Sequence, residues 1–160
     1  MVWEDLVELE HRSVALCDEL AEVFLIWCRR GVDGFRCDAG YKVPVRSWRY
    51  IIARVRREFP ETLFLLEGLG GPLETTEILL TDGGMQWAYS ELFQNHSGPQ
   101  VARYLDYSLQ QSERVGSLVH YSETHDNDRL AARSRVWSLL RNRLCALASV
   151  NGGYGFTCGG

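Results

Sequence analysis

The sequence predicts an α/β protein built on a parallel sheet. Three observations carry this. Helix-like and strand-like periodicities alternate along the whole 160-residue chain. Short apolar runs suited to buried strands are separated by longer amphipathic stretches. No hairpin signal joins one strand to the next, so each return path is a crossover helix.

The elements follow in order. Residues 3–30 place Leu6, Leu9, Val14, Cys17, Leu20, Leu25 and Cys28 at roughly helical spacing, and the run stops at Arg29-Arg30-Gly31. Gly34-Phe35-Arg36-Cys37-Asp38 is a short strand. Residues 47–58 form a second helix, capped by Ser47 and ended before Pro60. Residues 62–67 are too short and apolar for a helix and read as a buried strand. Residues 72–80 form a short helix with Pro72 in its first turn. Strands are expected at 85–90, 117–123 and 153–158, and helices at 98–112 and 133–150. Two architectures fit this alternation: an open doubly wound sheet or a (β/α)8 barrel. No G-x-G-x-x-G follows any strand, which removes the dinucleotide fingerprint.

Composition narrows the class. With 46% hydrophobic and 24% charged residues, the chain is ordinary for a globular domain. A net charge of −4 gives no basic footprint for nucleic acid, and no long apolar run suggests a membrane span. Five cysteines, Cys17, Cys28, Cys37, Cys145 and Cys158, make an odd count with no C-x-x-C pair. Zinc-ribbon and disulfide-framework readings fail on that pattern. Thiols among apolar residues point to a reducing, cytoplasmic setting.

The chemistry lies at the strand ends. Asp38, Glu67 and Asp126 stand at the carboxyl ends of three different strands. In parallel α/β folds that end of the sheet faces the ligand. One such acid reads equally well as the N-cap of the next helix; three at matching ends converge on a pocket. Arg36 lies two residues before Asp38, on the same face of the strand, where pairing keeps the carboxylate ionised. Glu67 follows Leu63-Phe64-Leu65-Leu66, and partial desolvation there suits a general acid. Gly68, Gly70 and Gly71 let backbone pass close to a ligand. His125 and Asp126 together offer a donor and an acceptor for sugar hydroxyls.

These residues carry a family resemblance. Gly34-Phe35-Arg36-Cys37-Asp38-Ala39 resembles the α-amylase family motif G-F-R-x-D-A at the fourth barrel strand. Glu67 sits where that family keeps its acid/base, and His125-Asp126 is similar to its H-D pair. The resemblance covers nearly the whole chain and implies a partial TIM (β/α)8 barrel, from about the third helix to the eighth strand. It implies Asp38 as nucleophile, Glu67 as acid/base and Asp126 as stabiliser of the distorted sugar. Arg36 would orient Asp38, and His125 would bind hydroxyls. The implied reaction is retaining glycoside hydrolysis of α-linked glucans or malto-oligosaccharides, without cofactor or metal. It requires the Asp38 and Glu67 carboxyl groups roughly 5–5.5 Å apart.

The departures from that pattern are specific. Many α-amylases continue D-A-x-K-H, whereas this chain runs Asp38-Ala39-Gly40-Tyr41-Lys42-Val43-Pro44. Pro44, six residues after the nucleophile, more closely resembles the maltosyltransferase-like branch, which makes maltosyl or glucosyl transfer the alternative reaction. Tyr41 and Lys42 are candidate acceptor contacts. Thr124 stands where the family usually has Asn. A full barrel takes about 250 residues, so strands one to three and the last helix are expected to lie outside residues 1–160. Isolated, such a fragment is expected to be inactive. Two further readings are a non-catalytic carbohydrate-binding module and a metal site using His120, Glu123, His125, Asp126 and Asp128. Trp87, Tyr89, Tyr121 and Tyr154 are candidates for stacking on sugars or for burial against helices.

Overall fold

The computed structural model describes residues 7–157. Five parallel strands, β1 (Gly34–Cys37), β2 (Leu63–Leu66), β3 (Trp87–Tyr89), β4 (Ser117–His120) and β5 (Gly153–Tyr154), lie side by side in sequence order. A doubly wound sheet reverses its strand order at a switch point. Here every strand pairs with the next in sequence, as along the arc of a barrel.

Helix α1 (Val14–Arg29) precedes β1, and the crossovers are supplied by α2 (Val45–Arg56), α3 (Leu73–Thr81), α4 (Gly98–Arg114) and the pair α5 (Leu130–Arg133) and α6 (Arg135–Ala148). In α1, Cys17, Ala21, Leu25 and Cys28 recur every three or four residues and are buried on one face. Ser13 caps this helix by accepting the Leu16 N–H. Residues 7–13 are not helical, so the expected helix starts later than 3–30 predicts, and residues 3–6 lie outside the described residues. Helix α2 begins after Pro44, not at Ser47. The Ser47 hydroxyl instead donates to the His11 carbonyl at 3.2 Å. Helix α4 opens with a capping box between Ser97 and Gln100. The single helix expected over 133–150 is two, because Ser134 is extended and caps α6 through the Trp137 N–H.

The core lies between the sheet and its helices. Phe64, Leu66, Ala88 and Leu118 point outward from the strands to meet Leu25, Trp48, Ile52, Val55 and Leu79. Phe64 is fully buried, with the Phe24 and Phe35 rings 5.4 and 5.8 Å from its own. Burying such a side chain stabilises the fold by about 1.5–3 kcal/mol, and truncating Phe64 to alanine costs about 3–5 kcal/mol. Cys17, Cys28, Cys37 and Cys145 are free and buried. Burial pushes the Cys37 thiol up to about 12 and Cys145 to about 11, so both act as small hydrophobes.

The strands are shorter than expected at their carboxyl ends. Residues 121–123, expected as strand, are buried but have no partner strand, because β5 contributes only Gly153 and Tyr154 to pairing. Gly155 still donates its N–H to the His120 carbonyl at 2.9 Å, but residues 155–157, expected as strand, are not in strand, and Cys158 lies outside the described residues. No helix of the described residues is long and apolar enough to cross a membrane.

Candidate active site

The inner face of the sheet presents the opposite side-chain set. Arg36 from β1, Leu65 from β2, Tyr89 from β3 and Val119 from β4 line a cleft of about 610 Å³ at the carboxyl ends of the strands. Asp38, Glu67 and Asp126 all line it, together with Tyr41, Tyr121, Glu123 and His125. The three acids that were read from separate strand ends are therefore gathered in one concavity.

Asp38 and Glu67 are set by the β1–β2 ladder. Cys37 is paired with Leu66, and the ladder runs on through Glu67 N–H to Cys37 O and Gly40 N–H to Glu67 O, both at 3.0 Å. The two acids thus stand at the same level on neighbouring strands. Arg36 Nη1 donates to Asp38 Oδ1, and its guanidinium lies 5.6 Å from the Tyr89 ring centroid. Desolvation opposes the Arg36 charge, but the Asp38 bond and the neighbouring Tyr89 and Glu67 outweigh it and hold its pKa above the usual arginine value. Asp38 itself is well solvated, its side chain 77% exposed.

Glu67 is held by backbone donors. Its Oε2 accepts the Ala39 N–H at 2.7 Å and its Oε1 the Leu69 N–H at 3.2 Å. The first bond needs the turn after Asp38, where Ala39 adopts φ 43°, the only non-glycine residue with positive φ among the described residues. The bond offsets this uncommon conformation by tying the neighbour of Asp38 to Glu67.

Asp126 sits on a self-braced loop. Its N–H donates to the Thr124 hydroxyl, which in turn donates to Asn127 Oδ1 at 2.9 Å. His125 Nε2 is 3.4 Å from Asp126 Oδ1. Thr124, the departure from the family's Asn, thus contributes a hydroxyl to the brace. Beneath the loop, Arg129 donates to the Thr124 and Asn127 carbonyls and pairs with buried Glu123 at 3.4 Å. Glu123 Oε2 also accepts the Leu130 N–H at the start of α5. The sequence reading gave Glu123 and Arg129 no part in shaping this loop, and no motif marks the pair.

Lys42 is not brought to the cleft. Its ammonium lies 5.6 Å from the Tyr41 ring, and the side chain faces a second recess with Glu8, His11, Arg12 and Arg46. Among the described residues, no three His, Cys, Asp or Glu side chains gather as they would to hold an ion. His120 is buried on the helix side of the sheet, away from His125 and Asp126. Of the aromatics, Tyr89 and Tyr121 line the cleft edge to face at 5.2 Å. Trp87 is not among the cleft residues, and Tyr154 donates to Asn142 on α6.

Sequential parallel strands with an acidic cleft at their carboxyl ends define the arc of a (β/α) barrel. An α-amylase from Lactobacillus plantarum superposes with a TM-score of 0.72 at 23% identity, over 98% of this chain and 41% of its own. A debranching enzyme from Nostoc punctiforme gives 0.68 at 16% identity, over 94% of this chain and 37% of its own. At these identities the likeness establishes the fold.

The sequence relatives bear a more particular name. The α-1,4-glucan:maltose-1-phosphate maltosyltransferase of Chlorobaculum tepidum is 28% identical over 157 residues, 94% of this chain and 23% of that protein. The enzyme of the same name from Methylacidiphilum infernorum is 36% identical over 73 residues, 44% of this chain and 11% of its own. No family model matches the chain. The resemblance to the α-amylase family read from the motifs is therefore shared by relatives and structural neighbours alike, and the chain spans less than a quarter of these two relatives' length.

Proposed function

We propose that residues 1–160 are the catalytic part of a retaining barrel enzyme acting on α-linked glucans. The observation that carries this is the convergence of Asp38, Glu67 and Asp126 on one cleft, with Arg36 on Asp38 and the Ala39 N–H on Glu67. Asp38 attacks the anomeric carbon while Glu67 protonates the leaving oxygen, and a glycosyl-enzyme forms. Glu67 then takes the proton of the incoming hydroxyl, which displaces Asp38. Asp126 and His125 bind sugar hydroxyls across the cleft, and Tyr41 stands on the acceptor side.

Transfer is the favoured form of the second step. The name shared by the sequence relatives describes maltosyl transfer from maltose 1-phosphate to α-1,4-glucan. We propose that the remaining barrel strands lie outside residues 1–160. The open inner face supports this, with Leu63 46% and Phe156 71% exposed. Four free, buried thiols support a cytoplasmic location.

The test is turnover by the complete reading frame that contains these residues. It is incubated with maltose 1-phosphate, with and without a malto-oligosaccharide acceptor. Phosphate release that depends on acceptor supports transfer. Release of reducing sugar from glucan alone supports hydrolysis. In either case Glu67→Gln lowers turnover by about 10²–10⁴ while glucan binding stays within about twofold. Glucan binding without turnover, unchanged by Glu67→Gln, would leave a carbohydrate-binding module and defeat the enzyme reading.

A further inference from the structure

The loop after Glu67 is held more firmly than its sequence suggests. Gly68, Gly70 and Gly71 leave it with little conformational preference of its own, and Gly70 stands at φ 79°. Two side chains fix it. The Leu69 N–H donates to Glu67 Oε1 at 3.2 Å, and the Gly70 N–H donates to Glu91 Oε1 at 2.8 Å.

Glu91 is itself anchored. It follows β3 by two residues. Its N–H donates to the Tyr104 hydroxyl of α4 at 2.7 Å, and its carbonyl accepts from Asn95 Nδ2 at 2.9 Å and from the Gln94 N–H at 3.0 Å. A chain of bonds therefore runs from α4 through Glu91 to Gly70, and through the adjoining peptide of Leu69 to the Glu67 carboxylate. The charge on Glu91 makes its bond to Gly70 one of the stronger kind. Glu91 does not line the cleft, so its reach to substrate chemistry is through the loop.

We propose that Glu91 is a positioning residue for Glu67, holding the glycine loop so that the Leu69 N–H stays on Oε1 and the carboxylate keeps one orientation toward the leaving oxygen. The inference rests on the reading of Glu67 as acid/base. It needs only an acceptor oxygen at position 91, so glutamine can stand in for glutamate and alanine cannot.

The experiment has two readouts on the complete reading frame. Amide exchange at Gly70 and Leu69 reports the loop without reference to activity. Glu91→Ala is expected to speed exchange at both by about tenfold, the loss of one charge-assisted hydrogen bond, and Glu91→Gln to restore most of the protection. Turnover is then compared on a malto-oligosaccharide, whose leaving oxygen needs a proton, and on α-maltosyl fluoride, whose fluoride leaves without one. Glu91→Ala is expected to lose about tenfold in kcat/KM on the first and under about twofold on the second, because kcat/KM reports formation of the glycosyl-enzyme and not the later step in which Glu67 acts as base; Glu91→Gln stays near the unaltered enzyme on both. Unchanged exchange in Glu91→Ala, or equal losses on the two substrates, overturns the proposal. If the unaltered protein turns over neither substrate, the glycosidic reading fails by itself, and exchange at Gly70 decides whether Glu91 holds the loop.

Discussion

The Glu67 carboxylate accepts the backbone N–H of Ala39 at 2.7 Å, so the candidate acid/base is bonded to the residue that directly follows the candidate nucleophile. The bond depends on Ala39 holding φ 43° and ψ 37°. An L-residue in that region gives up about 1–2 kcal/mol, and a β-branched residue more. Ala39→Gly relieves the strain but adds freedom to the unfolded chain, and the two nearly cancel. Ala39→Gly is therefore expected to stay within about 0.5 kcal/mol of the parent in urea unfolding, and Ala39→Val to lose about 1–2 kcal/mol. A valine variant as stable as the parent would show that the turn relaxes without cost.

The Asp126 loop depends on a second pair. Glu123 is buried, with its side chain 4% exposed, while Arg129 is 24% exposed and also donates to two loop carbonyls. Removing one partner leaves a buried charge without compensation, at about 3–5 kcal/mol. Arg129→Met is expected to destabilise the protein by about 3 kcal/mol. Glu123→Gln keeps an acceptor for the Leu130 N–H and is expected to cost less, about 1–2 kcal/mol. Equal effects of the two substitutions in denaturant unfolding would place the stability in the packing and not in the charges.

Gly152 marks where β5 meets β4. A Cβ at this position would stand 2.1 Å from the Leu118 carbonyl oxygen, a backbone atom that cannot swing aside. Gly152→Ala forces the strands apart at the Val119–Gly153 pairing, which carries residues 155–157 into the cleft wall. Overpacking of this kind costs about 1–3 kcal/mol, and the upper part of that range is expected in thermal or urea unfolding. A loss under about 0.5 kcal/mol would mean that β5 contributes little to the fold.

The elements that sequence reading located best are those whose local pattern and tertiary role agree. The Gly34–Asp38 and Leu63–Glu67 runs are strand-like in composition, buried on one face, and paired with each other in register. Asp38, Glu67, Asp126, Arg36, His125 and Tyr41 accordingly reach the expected cleft. Residues 121–123 follow β4 without a partner strand, and local sequence alone does not reveal how far a neighbour extends. Lys42 follows Tyr41 in a 3-10 turn, where adjacent side chains diverge, so one reaches the cleft and the other does not. Glu91 acts through a backbone group of another segment, and Arg129 through carbonyls of its own loop. Such partners carry no motif, because what they bind is common to every residue.

His120 gives the fold a predicted acid sensitivity. It is 2% exposed on the helix side of β4, and its Nδ1 has no hydrogen-bond partner. Burial disfavours the imidazolium and holds its pKa down at about 4, against 6.5 for an unperturbed histidine. Between those values the unfolded chain binds a proton that the folded chain refuses, so stability rises with pH across this window and falls as pH drops through it. The neutral form is fully favoured above about pH 6.5, and the loss is complete near pH 4. The expected size is on the order of 2–3 kcal/mol, superposed on whatever the carboxylates contribute. His120→Leu, which has no proton to bind, is expected to flatten the stability profile between about pH 4 and 6.5. Urea midpoints of parent and variant, measured at intervals over that range, decide it. Parallel profiles would mean that water reaches the imidazole and solvates its charged form in the folded protein.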